Sequence, residues 1–403
     1  MPRELRHLAF PQPHPFSSMR RFFVRVIVIG VLLHVYVGFR LIPEWPVNPP
    51  AKLVAALWLV LSCFLIPLGM LARRLERQPL ADRLAWIGLL PMGFFSSLLV
   101  LTLVRDVTIA SLFTVDTLLR QTISLDAWRV DTAITVPVLA VLSTAIGFIN
   151  ARRRAKVVTV EVPVADLPPA LDGLTIVQIS DIHVGPTIKQ PYVDAIVDAV
   201  NRLDPDLIAI TGDVVDGSVA HLTEHTQPLS RLNARYGVYL VTGNHEYYSG
   251  ADEWVTEFQR LGLKVLLNEH VVLNHNGTPF IVAGVTDYST KHLNGIHRSD
   301  PAAALEHAPE EVRVRVLLAH QPRTAFAAAD VGYTLQLSGH THGGQFFPWN
   351  LFVRLQQPFT AGLARINDLW IYTSRGTGYW GPPKRLGAPS EITRIRLTAA
   401  RLA

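Results

Sequence analysis

Ser338-Gly339-His340-Thr341-His342-Gly343-Gly344-Gln345 follows an alternating apolar run, Tyr333-Thr334-Leu335-Gln336-Leu337, so two imidazoles sit just past the end of a short strand. Glycines on both sides let the backbone turn sharply and approach a ligand closely, and side chains two apart on an extended segment reach into one cleft. Alone, the octapeptide reads almost as well as a polar turn with incidental histidines, because His-x-His is common. Recurrence upstream decides the matter. Apolar residues 174–180 run into Asp181-Ile182-His183, residues 206–211 into Gly212-Asp213-Val214-Val215-Asp216, residues 237–242 into Gly243-Asn244-His245-Glu246, and residues 314–319 into His320. Five strand ends that each deliver Asp, Asn or His in this order are not a chance placement, and these side chains are the oxygen and nitrogen donors of divalent-metal chemistry.

Composition divides the chain in two. Its 49% hydrophobic residues and mean hydropathy of +0.26 are too apolar for an ordinary soluble enzyme, and the excess lies before residue 150. The remainder, about 250 residues, is long enough to bury a full core. The single cysteine, Cys63, lies in an apolar run, which excludes an intrachain disulfide framework and a cysteine-rich zinc site. The net charge of +5 is no sign of a nucleic-acid partner, since the arginine clusters flank apolar spans, where topology explains them.

Residues 1–21 are Pro-rich and basic, with Arg3, Arg6, Arg20 and Arg21, and are expected to be disordered. Spans at 22–42, 53–71, 84–104 and about 130–149 suit bilayer crossings, and the first reads as an uncleaved anchor because no small-x-small site follows it. Arg73, Arg74, Arg77 and Arg83 follow the second span, and Arg152, Arg153, Arg154 and Lys156 follow the fourth. Loop three balances Arg105, Arg120 and Arg129 with Asp106, Asp116 and Asp126. The positive-inside rule then places both termini and the catalytic domain in the cytoplasm of a multi-pass inner-membrane protein. Residues 107–125 read equally as a helix along the membrane surface or a plain loop. Arg25 and Arg40 lie near the ends of their span, and the spans carry no paired charge network of the kind a transporter needs.

After Lys156 strands and helices alternate. Residues 157–162 form an edge strand, 192–203 and 252–261 helices, and 264–267, 271–273 and 280–285 short strands. This is a layered α/β domain with its site beyond the carboxyl ends of strands. The expected division is 1–21 disordered, 22–150 transmembrane, 151–173 linker and edge strand, and 174–403 catalytic.

In motif order and spacing, residues 174–345 resemble the calcineurin-like metallophosphoesterase family. That resemblance implies an α/β (α+β) fold, a four-layer β-sandwich flanked by helices, here preceded by an all-α transmembrane region. The G-H-T-H-G-G-Q stretch and the anchor look more like the bacterial branch that includes UDP-diacylglucosamine hydrolases. Carried over by motif position, Asp181, His183, Asp213 and His342 would hold one divalent metal ion and Asp213, Asn244, His320 and His340 a second, with Mn, Fe, Zn or Co all suited to these donors. A hydroxide bridging the ions would be the nucleophile, His245 the general acid and Asp216 the carboxylate that orients it. Asp216 also reads as a turn cap, and Glu246 as a surface carboxylate or one standing behind the ligands. The arginines that follow these motifs in the family's protein phosphatases are replaced by Gly217 and Tyr247, which argues against phosphoprotein substrates.

The expected activity is hydrolysis of a phosphodiester or pyrophosphate, with a lipid or lipid precursor as substrate and the bilayer as partner. The alternatives are a general phosphomonoesterase, a nucleotide phosphodiesterase, or a non-catalytic metal-binding sensor. His221, His225, His270, His275, His292, His297 and His307 read as solvated loop residues, and Asp287, which follows a strand, as a turn residue in preference to one that approaches the site. Residues 346–353 are unusually apolar and stand open between contact with acyl chains or bilayer and core packing. The role of the turn 376–380 is left open.

Overall fold

The computed structural model describes residues 15–72, 75, 77–119, 123–292 and 297–400. Arg3, Arg6, Arg73, Arg74 and Arg120, all weighed in the charge argument, lie outside them. Four helices open the chain: α1 (Pro15–Leu41), α2 (Pro49–Leu71), α3 (Leu80–Leu119) and α4 (Leu125–Arg152). All four are long and apolar enough to cross a membrane. Helix α1 begins inside the segment expected to be disordered.

Helix α3 departs most from expectation. Residues 107–119 are neither loop nor separate surface helix but continue α3 to a length of 40 residues, about 60 Å at 1.5 Å per residue. No glycine or proline interrupts residues 94–119, and Thr108, Ser111, Thr114 and Thr117 each donate to the carbonyl four residues back, at 2.8–2.9 Å. These hydroxyls are satisfied within the helix and need no partner outside it.

The chain forms two compact units, residues 1–68 with 94–140, and residues 69–93 with 141–403. In the first, Val37, Leu41, Leu59, Phe95, Leu98, Val136 and Ala140 make the core. His34 stacks on Phe95 and meets Ser62 Oγ at 3.1 Å. The expectation that the spans lack paired charges is corrected here. Arg40 donates to both carboxylate oxygens of Asp106 (2.7 and 2.9 Å), Tyr36 donates to the same carboxylate (2.7 Å), and Arg105 pairs with Glu44 and Asp106. With α3 running on, Arg105 and Asp106 sit inside a helix that packs on α1, so their charges must be paired rather than solvated.

The second unit holds two six-stranded sheets. One has the order β1 (Lys156–Val164), β12 (Glu391–Ala399), β2 (Thr175–Ile179), β3 (Leu207–Ile210), β4 (Val238–Leu240), β5 (Lys264–Val265). The other runs β10 (Gly362–Ile366), β11 (Leu369–Thr373), β9 (Leu335–Ser338), β8 (Arg315–Leu318), β7 (Thr278–Gly284), β6 (Glu269–His275). Alternate residues from the two sheets, among them Ile176, Leu207, Tyr239, Phe280, Val316 and Leu337, fill one buried core between them. The outer face of the first sheet is covered by α5 (Gln190–Asn201), α6 (Val219–Thr226) and α8 (Ala251–Arg260) through Val193, Ile196, Leu222, Trp254 and Phe258. Helix α9 (Ala325–Ala329) covers the second through Ala325 and Ala328. The domain is therefore the expected four-layer sandwich, and β1 the expected edge strand.

Strands β2, β3 and β4 are parallel, as are β7, β8 and β9, so their carboxyl ends come out on common edges. His221 and His225 fall on α6 and His270 and His275 on β6 rather than in loops. His275 is buried against the Tyr236 hydroxyl (2.9 Å).

Arg105 has a side chain only 1% exposed, against 41% for Arg40. Arg105→Met should therefore destabilise the detergent-solubilised chain by about 2 kcal/mol, because half-buried Glu44 loses its partner while Asp106 keeps Arg40 and Tyr36, whereas Arg40→Met costs about 1 kcal/mol or less. Thermal unfolding of the two variants, compared with the parent, checks the order.

Candidate metal centre

Five loops leave the ends of β2, β3, β4, β8 and β9, and they bring together Asp181, His183, Asp213, Asp216, Asn244, His245, His320, His340 and His342. Three triads have ligand atoms within 4.8 Å of one another: Asp181, His183 and His342; His183, Asp213 and His245; Asp213, His320 and His340. The backbone is bent to achieve this. Asp181, His183, Asp213, His340 and His342 all adopt positive φ, between 50° and 69°. Asp and His tolerate that region better than branched residues do, and a strained backbone of this kind collects at functional sites.

The loops lock together through close approaches that only glycine permits. A Cβ at Gly339 would stand 2.2 Å from Asp181 Oδ2 and 2.0 Å from Ser180 Oγ, and one at Gly243 would stand 2.2 Å from Asp213 Oδ1. Asp181 in turn accepts the His340 backbone N–H on both oxygens (2.9 and 3.0 Å).

The charge balance of the centre calls for cations. His320 donates Nδ1–H to the Thr211 carbonyl (2.8 Å), so Nε2 faces Asp213 Oδ2 at 3.0 Å. Burial opposes charge on both groups, yet their mutual attraction holds Asp213 well below the carboxylate range and His320 well above the imidazole range. The pair calls for positive charge between Nε2 and Oδ2, which a shared proton supplies and a divalent cation would supply in its place. His342 and His340 go the other way. Burial, then the Arg385 guanidinium for His342 and His320 for His340, pushes both down, His340 to about 3, so both rings are neutral donors. Buried His183 Nδ1 and Asn244 Oδ1 have no hydrogen-bond partner among the described residues, and Nε2 of His183 and of His342 lie 3.0 Å apart. Neutral imidazoles, carboxylates and an orphaned amide oxygen are a donor set that fits two divalent ions sharing Asp213.

His245, in one triad with His183 and Asp213, is held by a further carboxylate. Its backbone N–H donates to Asp213 Oδ1 (2.9 Å), and its ring Nδ1–H donates to Asp216 Oδ1 in a very short bond. Burial disfavours the imidazolium, but the carboxylates of Asp213 and Asp216 more than offset that and raise its pKa to about 9. Between the two readings of Asp216, turn cap and orienting carboxylate, the geometry supports the second.

The Calcineurin-like phosphoesterase family matches residues 174–344. A relative from Aquifex aeolicus, named as an uncharacterized metallophosphoesterase, is 34% identical over 227 residues, which cover 56% of this chain and 85% of that protein. The chain belongs to the calcineurin-like metallophosphoesterase family. A transmembrane protein with metallophosphoesterase domain from Bos taurus is 42% identical over 280 residues, 66% of this chain and 62% of its own length. The corresponding protein of Danio rerio is 40% identical over 275 residues, 65% of this chain and 63% of its own. The chain thus spans less than two thirds of these two relatives.

Residues that the sequence left ambiguous, and one that it did not mark at all, also shape this metallophosphoesterase site. Glu246 is fully buried, not on the surface, and accepts backbone N–H bonds from Gly243 (2.7 Å), Asp213 (3.0 Å), Val214 (2.7 Å) and Val215 (3.3 Å). Placed three residues after Gly243, at the start of the helix α7 (Asn244–Ser249), its carboxylate reaches back to the N-cap N–H, one half of a capping box. Arg385, buried in the loop before β12, donates to His342 Nδ1 (2.9 Å) and to the carbonyls of His342 (3.1 Å) and Arg375 (2.7 Å). No pattern in the sequence marks it. Asp287 does serve a turn, accepting from Ser289 N (2.8 Å), and also holds Gln321, the neighbour of His320 (3.0 and 3.1 Å). The 376–380 turn packs on the first loop, with Gly378 N donating to Asp181 O (3.0 Å) and the Trp380 ring 5.6 Å from that of His245.

Residues 346–353 resolve their ambiguity against core packing. Phe346 turns inward, but α10 (Trp349–Gln356) buries none of its side chains, and Leu355 is 85% exposed. The helix rests on the metal loop at Gly344, where a Cβ would stand 2.1 Å from Asn350 Cα.

Gly339→Ala should disrupt the centre while sparing the cores, because its methyl group would overlap the Asp181 carboxylate. We expect loss of most bound metal by elemental analysis, with far-UV circular dichroism unchanged.

Proposed function

We propose that this chain is a membrane-anchored phosphoesterase that uses two divalent ions, Mn, Fe, Zn or Co, to hydrolyse a phosphodiester or pyrophosphate bond in a lipid or lipid precursor. The observation that carries this reading is the convergence of six metal-donor side chains on a seventh, the buried carboxylate of Asp213, with a carboxylate-held imidazole beside them. Asp181, His183, Asp213 and His342 would hold one ion, and Asp213, Asn244, His320 and His340 the other. When bound, the ions supply Lewis acidity to the phosphoryl oxygens and to the attacking water.

The chain's own residues supply the rest. Asn244 contributes a ligand without negative charge, which spares an anionic substrate one repulsion. Asp216 fixes the His245 ring with Nδ1–H toward itself, so the other nitrogen is free to hold a proton for the departing oxygen. A binding module would need the ligands but not this pair.

Support for a lipid substrate comes from two features. Four apolar helices confine the centre near a bilayer, where such substrates are concentrated. Helix α10, seated on the metal loop, exposes Trp349, Leu351, Phe352 and Leu355, the composition of a surface that lies against lipid. The narrower likeness to UDP-diacylglucosamine hydrolases is part of this reading, as are a bacterial inner-membrane location and a cytoplasmic catalytic side.

Metal content and Mn²⁺-dependent hydrolysis of bis-p-nitrophenyl phosphate by the full chain test the proposal. We expect about two metals per chain, lost together with activity in Asp213→Asn. His245→Ala should keep the metals and lose roughly 10²–10⁴-fold with unactivated esters, but far less with p-nitrophenyl esters, whose leaving group needs no proton. Full metal content in Asp213→Asn would remove Asp213 from the shared position, and an equal loss on both ester classes would remove His245 from the acid role.

A further inference from the structure

The metal centre opens into a cleft whose other wall is made by the membrane-helix segments that belong to the same compact unit, residues 69–93. Its polar end is His183 and Asp216, Trp380 stands at its side, and Met70 of α2 with Leu89 and Met92 of α3 form the apolar wall. The two helices meet there without side chains between them, since a Cβ on Gly69 would stand 2.6 Å from Gly88 Cα. That contact keeps the wall closed behind Met70 and Leu89.

The cleft's position within the site is informative. It reaches the centre beside Asp216, the carboxylate that holds His245, and Trp380 meets the His245 ring at 5.6 Å. An in-line displacement puts the attacking water and the departing oxygen on opposite sides of phosphorus, and the acid must stand on the departing side. The apolar wall therefore continues from the leaving-group side of the centre. Resting on the reading of His245 given above, we infer that the apolar chain of the substrate belongs to its leaving group and lies along Met70, Leu89 and Met92. Water oxygen bonds to phosphorus and gives up one proton to solvent, the bond from phosphorus to the lipid-side oxygen breaks with its electron pair, and the proton held by His245 goes to that oxygen. A lipid alcohol, or a lipid monophosphate when the bond is a pyrophosphate, is released beside apolar helix surface, while the polar phosphate product leaves on the opposite side.

Two ester series separate this orientation from simple partitioning into detergent. In methyl 4-alkylphenyl phosphates the chain is on the leaving group, and in alkyl 4-nitrophenyl phosphates it is on the group that stays with phosphorus. With the full chain in one detergent, kcat/KM should rise roughly fourfold for each methylene buried in the first series and stay nearly flat in the second. Leu89→Gln and Met92→Gln, made separately, should each flatten the first series while retaining the parent's metal content. An equal rise in both series, a rise in the second alone, or a rise untouched by both variants overturns the inference while leaving the phosphoesterase reading standing. No hydrolysis in either series by metal-loaded protein removes that reading and this one with it.

Discussion

The site depends on a carboxylate with no place among the proposed metal donors. Glu246 gathers the backbone N–H groups of Gly243, Asp213, Val214 and Val215, and so ties the loop after β3 to the loop after β4. Those two loops carry Asp213, Asp216, Asn244 and His245. Backbone donors turned inward at strand ends have no ladder partner, and buried without one each would carry a large desolvation cost. One side chain answers four of them. The same bonds fix where the Asp213 carboxylate points, and the remaining donors are arranged around that carboxylate.

Such a site works against the stability of the domain that carries it. Five positions have left-handed backbone, three glycines are pressed against neighbouring loops, and several carboxylates and imidazoles are buried together. The cores of the two sheets and their covering helices offset this, being formed of almost fully buried aliphatic and aromatic side chains. The strain stays at one edge because parallel strands end there in common, where loops are free of the ladder.

Much of this was legible in the sequence, and the reasons are local. An apolar run of four to six residues followed by Gly, Asp, Asn or His marks both a strand and what its end delivers, so β2, β3, β4, β8 and β9 and all nine residues they position could be read directly. What could not be read involves partners distant in sequence or side chains that serve two environments. Arg105 and Asp106 looked like loop charges because their partners, Glu44 and Arg40, lie some sixty residues earlier. Residues 107–125 stood open between a surface helix and a loop because hydroxyls that bond within a helix, as those of Thr108, Ser111, Thr114 and Thr117 do, cannot be told by composition from hydroxyls that face water. Arg385 was invisible because its role is to meet His342, 43 residues away, through a fold that pattern alone does not register.

Beside Arg385 stands Lys384, almost fully buried. It donates to the Gly93 carbonyl (3.0 Å) and the Thr144 hydroxyl (3.2 Å), while Arg385 N donates to Gly147 O (2.8 Å). Gly147 is itself required there, since a Cβ would stand 2.6 Å from the lysine's Cγ. Two consecutive residues thus plug into helix backbone on one side and grip a histidine of the metal loop on the other. The membrane helices are then not an interchangeable tether. A lineage that exchanged these spans for another anchor would empty the socket that seats Lys384, and a freed ammonium would have to find water next to the loop on which the chemistry rests. Gly93, Thr144 and Gly147 thus support the metal loop as much as they build the helices that carry them.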